Sequence, residues 1–167
     1  ANHLLLLGRS LVGNGASEVS SVIDWLCSTK NKFKISKNHI YLYGHSSGGT
    51  LAQFTSALDL RVKGTLASGS VGPIRETIGI RGNGSGEGIV PGFLNWFDTK
   101  DLISLIAPRL FIALSGDKDH IYPYEGAKKV IDEAKCIYKK LNASDKVLSV
   151  MVKGKHQYYN KDSWKVW

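Results

Sequence analysis

The sequence predicts an α/β fold in which a parallel sheet is flanked by helices. Two observations carry this. The first is a strand–turn–helix unit: the β-forming run Ile40 to Tyr43 passes without a break into Gly44-His45-Ser46-Ser47-Gly48, and Leu51, Phe54, Thr55 and Leu58 then recur at helical spacing. The second is alternation. Apolar runs near Val62 to Ala67, Arg109 to Ser115 and Val147 to Val152 are separated by helical patterns. A short link through Asp59 and Arg61 between the first helix and the next strand fits a right-handed parallel crossover.

Taken in order, Leu4 to Leu7 is built of an unbranched helix former and reads as the end of a helix rather than a strand. Gly8, Gly13 and Gly15 are expected to break the chain. Ser17 then serves as N-cap of an amphipathic helix with Val19, Val22, Ile23, Leu26 and Cys27, ending near Ser28. Lys30 to Asn38 is a polar connector. Ser68 to Pro91 is glycine-dense and aperiodic, and it leaves the edge of the sheet on which Ser46 lies; the pattern fits either a wall of a substrate pocket or a surface loop remote from it. Phe93 to Ile106 reads as an apolar helical stretch containing Trp96 and Phe97. Tyr124 to Leu141 is the clearest helix, with Ala127, Val130, Ile131, Ala134, Tyr138 and Leu141 on one face. Trp164 and Trp167 are expected to dock a last short helix.

With 167 residues and 43% hydrophobic content, the chain has the length and composition of one domain. Its formal charge of +8 comes mostly from lysine, including Lys30, Lys32, Lys34 and Lys37 in one connector. Others, Lys128, Lys129, Lys135, Lys139 and Lys140, are interspersed with Asp132 and Glu133; arginine is scarce and no basic-aromatic module occurs, so nucleic acid is not the expected partner. Cys27 and Cys136 lack metal or redox spacing and read as free thiols, and no metal or cofactor motif is present. No apolar run of membrane-spanning length and no leader is visible, which speaks against a membrane partner. A chain opening on Ala1 is expected to be a processed product or a piece of something longer.

Gly44-His45-Ser46-Ser47-Gly48 fits Gly-x-Ser-x-Gly, a turn that projects its serine from the end of a strand toward the amide end of the following helix. A serine hydroxyl is a poor nucleophile at neutral pH, so chemistry at Ser46 requires a base, and the base requires an acceptor to orient it. The chain supplies the order serine, acid, histidine. Asp119 follows the third strand and His156 follows the fourth, and in a parallel sheet both loops open on the edge that carries Ser46. Asp117 competes with Asp119, both being ordinary turn residues beside Gly116. Asp119 is preferred because Pro123 and the helix behind it fix its side of the loop. His3, His39, His45 and His120 compete with His156, which alone occupies an exit loop of its own.

The order of several blocks resembles the α/β-hydrolase superfamily, and within it the acetyl xylan esterases and dienelactone-hydrolase-like serine esterases. These are Leu5-Leu6-Leu7-Gly8-Arg9-Ser10-Leu11-Val12-Gly13, Ile23-Asp24-Trp25-Leu26, Gly44-His45-Ser46-Ser47-Gly48-Gly49, Pro91-Gly92, Asp101-Leu102, Ile106-Ala107-Pro108-Arg109, Gly116-Asp117-Lys118-Asp119 and the region of His156. The resemblance implies a Ser46, Asp119, His156 triad that hydrolyses a small-molecule or carbohydrate ester through an acyl-enzyme, with the Ser47 amide as one oxyanion donor. The superfamily sheet has more strands than the four counted here, and the loop supplying the second donor is not seen. The expectation is therefore the C-terminal portion of a single α/β-hydrolase domain lacking its N-terminal strands. A serine peptidase of the same fold and a degenerate, non-catalytic binding module are the competing readings.

Overall fold

The computed structural model describes residues 2–28, 35–80 and 88–166. Its centre is a four-stranded sheet, β1 (Ile40–His45), β2 (Val62–Ser68), β3 (Leu110–Gly116) and β4 (Val147–Val152), all parallel and in sequence order. Each crossover carries a helix: α3 (Ser47–Leu58), α4 (Thr99–Ser104) and α5 (Tyr124–Lys140). Helices α1 (Asn2–Leu6) and α2 (Leu11–Cys27) precede the sheet, and α6 (Asn160–Val166) follows it.

Side chains alternate across a strand, so successive residues of the central pair feed opposite cores. Ala67, Phe111 and Ala113 face one layer, where they meet Val130, Ile131, Ala134 and Tyr138 of α5 together with Ile103 and Ile106. Leu66, Ile112 and Leu114 face the other, against Tyr159 and Val166. The first layer is thick, because α2 packs on α3 outside the sheet. The second is thin. Among the described residues it is covered by Tyr159 and α6, and a groove of about 450 Å3 lined by Tyr41, Tyr43, Leu110 and Trp164 stays open.

Four expectations need correction. Helix α2 begins at Leu11 rather than after Ser17, with Ser10 as its cap accepting the Gly13 amide at 3.0 Å. Gly13 and Gly15 therefore lie inside the helix. A Cβ at Gly15 would stand 2.9 Å from Leu51 Cδ1, so its bare backbone serves the close approach of α2 to α3. Phe93 to Ile106 is not one helix: Phe93–Asn95 is a single 3-10 turn, and α4 restarts at Thr99 behind a capping box made by Asp98 and Asp101. Trp96 is 83% exposed. Trp164 is 70% exposed and does not dock α6, whose inward residues are Ser163 and Val166; Trp167 lies outside the described residues. Leu141 falls just past the end of α5 and is half exposed.

The glycine-dense stretch is partly ordered. Gly69 to Pro73 is buried and a π-helical turn spans Arg75–Ile80. Its remainder, 81–87, and the connector lysines Lys30, Lys32 and Lys34 lie outside the described residues. Among the described residues no helix is long and apolar enough to cross a membrane, and no group of three His, Cys, Asp or Glu could hold a metal ion.

Candidate active site

Strand β1 ends in the serine turn. Ser46 has φ 53° and ψ −125°, a conformation that L residues rarely adopt, and its carbonyl accepts the Thr50 amide as the first bond of α3. The turn is possible because Gly44 lacks a side chain: a Cβ there would lie 2.1 Å from the Gly48 carbonyl oxygen. Ser46 N–H donates to the Ser68 carbonyl at 2.8 Å, which fixes the turn to the end of β2. The Ser46 hydroxyl is left at the strand end beside the N-terminus of α3.

The loops after β3 and β4 meet at that point. Asp119 is buried, with its side chain fully covered. Its Oδ1 accepts the Ile121 and Tyr122 amides, both at 2.9 Å, and its Oδ2 bonds His156 Nδ1 at 2.9 Å. A carboxylate only accepts, so Nδ1 carries the proton and Nε2 is the acceptor. Nε2 lies 2.9 Å from Ser46 Oγ. Three residues distant in sequence thus form one hydrogen-bonded chain, and the structure brings together the three that sequence reasoning named.

The rival residues have other places. Asp117 is exposed, and its Oδ1 accepts the Gly154 amide at 2.8 Å. The Asp117 and Lys118 amides donate to the Val152 and Gly154 carbonyls, so the two exit loops are stitched together along their length. His39 sits at the far end of β1 and bonds Ser36; His3 is on α1, and His120 is exposed. His45, next to Ser46 in the chain, has its ring centroid 4.9 Å from that of His156.

Beside the serine turn is a cleft of about 330 Å3, lined by Leu11, Val12, Gly15 and Leu51 with Asn14 and Glu18, and touching Ser47 and Gly48. That is the lower range of small-molecule pockets. The cleft wall therefore comes from the start of α2. Of the glycine-dense stretch, Gly69 lies under the imidazoles, and Ser70 packs on Gln53 of α3. The start of α2 was missed because Gly13 and Gly15 read as chain breaks.

This sheet order, with the serine turn after β1, is the α/β-hydrolase type of fold. No family model matches the chain. It is 30% identical over 146 residues to "Putative hydrolase YtaP" of Bacillus subtilis (strain 168), an alignment covering 86% of this chain and 48% of that protein. Among solved structures, the carbohydrate esterase family 15 glucuronoyl esterase of Caldicellulosiruptor kristjansonii superposes with a TM-score of 0.77 at 20% identity, over 90% of this chain and 47% of that one. The glucuronoyl esterase of Solibacter usitatus gives 0.73 at 19% identity, over 90% and 46%. At such identities the likeness is one of fold. The chain spans about half the length of the curated relative and of these two solved relatives.

Proposed function

We propose that the chain is the catalytic portion of a serine ester hydrolase, a carboxylesterase acting on a carbohydrate-linked ester. The observation that carries this reading is the unbroken hydrogen-bonded chain from Asp119 through His156 to Ser46. Ser46 Oγ attacks the ester carbonyl while His156 Nε2 takes its proton, and Asp119 holds the imidazole in the required tautomer and supports its positive charge. The oxyanion forms near the start of α3, where the Ser47 amide serves as donor. Collapse expels the alcohol, which takes the proton from His156. Water then attacks the acyl-enzyme, giving its proton to His156 and releasing the acid and Ser46. The preference for a carbohydrate ester rests on the solved relatives, both named glucuronoyl esterases.

The same reading takes these residues as the C-terminal portion of one α/β-hydrolase domain, with the second oxyanion donor supplied from outside the residues described. It is supported by the shares of the relatives that the chain covers. The test is labelling of the whole protein by a fluorophosphonate probe together with hydrolysis of p-nitrophenyl acetate and of an alkyl ester of glucuronic acid. Labelling at Ser46 and turnover of the uronic ester are expected, and Ser46→Ala should lower kcat by at least about 10³-fold. Turnover of aminoacyl amides in preference to esters would replace the reading with a peptidase. Active protein that the probe leaves unmodified would remove Ser46 as nucleophile.

A further inference from the structure

We propose that His45 is a positioning residue for His156: its neutral imidazole is the wall against which the His156 ring rests, and it supports the cation His156 becomes on taking the Ser46 proton. This rests on the serine hydrolase reading above. The ring centroids lie 4.9 Å apart with the planes inclined by 39°. An aromatic face within about 6 Å of a cation attracts it, whereas a second charged imidazole there would repel it.

The surroundings hold His45 in that place. Its Nδ1 shares a hydrogen bond of 3.1 Å with the hydroxyl of fully buried Ser68 at the end of β2. The edge of its ring meets Tyr158 at 6.3 Å, and Tyr158 packs on Tyr43 of β1 at 5.4 Å. Gly69, at φ +54°, is the floor beneath both imidazoles: a Cβ there would stand 3.0 Å from His45 Cε1 and 3.2 Å from His156 Nδ1. Tyr122 stacks on His156 at 6.2 Å.

The titratable groups facing this pair are Asp119 from the loop after β3, Tyr122 beyond it, Tyr158 from the loop after β4 and Tyr43 from β1. The Asp119 carboxylate, and to a smaller degree a hydrogen bond with the Ser68 backbone, favour a charged His45. Burial and the neighbouring His156 outweigh them and hold His45 below the usual histidine range. The shift favours the neutral imidazole at neutral pH. Acid protonates it and cancels its support.

The experiment combines pH profiles of kcat/KM on p-nitrophenyl acetate with a histidine NMR titration of the whole protein. His45→Gln, which keeps a polar side chain but removes the ring, should lower kcat about tenfold with KM changed by less than about twofold. His45→Phe restores the aromatic face and should recover most of that loss at neutral pH. Because phenylalanine cannot charge, its acid limb should follow one protonation where the wild type follows two. The titration needs no turnover: the His45 midpoint should rise in His156→Gln, which leaves His45 itself unaltered. An active wild type whose His45→Gln variant keeps kcat and acid limb, or a His45 midpoint unmoved in His156→Gln, overturns the proposal. An inactive wild type removes the esterase reading and the positioning role with it.

Discussion

Backbone contact at single residues sets the geometry of the site. Ser46 adopts its left-handed conformation only while Gly44 and Gly48 can touch. Gly44→Ala would drive a methyl group into the Gly48 carbonyl, a backbone atom with no flexible end to give way. The expected result is loss of fluorophosphonate labelling together with destabilisation of more than about 2 kcal/mol, read by urea denaturation. Equal labelling and stability in that variant would mean the turn is looser than its distances indicate. The competition between Asp117 and Asp119 is decided at the same scale. One carboxylate is buried against two amides and an imidazole, and the other joins two loops at the surface; the sequence preferred Asp119 because Pro123 anchors the side of the loop on which it lies.

Elements were legible where one face is apolar and opaque where packing overrode local preference. The four strands and α5 follow from runs and periods within a few residues of their observed bounds. The start of α2 does not, because a glycine that packs against a neighbouring helix looks the same in a sequence as one that ends a helix. The approach of His45 to His156 was not legible for a related reason: it brings a ring at the end of β1 against one in the loop after β4, over Gly69, and leaves no mark in spacing. Arg61 shows how elements are joined. It is bonded to Asp24 of α2 and makes a two-pronged contact with Asp59, at 2.9 and 2.7 Å, in the turn between α3 and β2. Asp59 is nearly buried, and the hydrogen bonds from Arg61 hold its carboxyl at about 2, below the usual 3.8. A carboxyl depressed by folding contributes stability above its ordinary value and loses it as pH falls through the depressed one. Asp59→Asn should therefore lose about 1–2 kcal/mol at pH 7, less than the shift alone implies because Arg61 is 38% exposed. The deficit should shrink as pH falls from about 4 to 2, followed by urea denaturation across that range.

At the scale of the whole molecule the sheet is unequally finished. β1 carries the serine turn and is also an edge, with no strand on its outer side among the described residues. Tyr41, 49% exposed on that strand, borders the open groove. Unpaired strand edges with apolar neighbours recruit other chains, and lysine on an edge suppresses this. These 167 residues produced alone should therefore associate with rising concentration, and Tyr41→Lys should reduce that association in light scattering. Wild-type residues 1–167 that stay fully monodisperse at high concentration would show that the edge is already protected. The stitching between the loops after β3 and β4 bears on how such a molecule fails. The loops that hold Asp119 and His156 are tethered to each other by three backbone amides, whereas Ser46 follows β1, two strands away from β3 and three from β4. Early thermal opening should then part the Ser46 hydroxyl from an intact imidazole–carboxylate couple, so that fluorophosphonate labelling fades on gentle heating and returns on cooling before the protein unfolds.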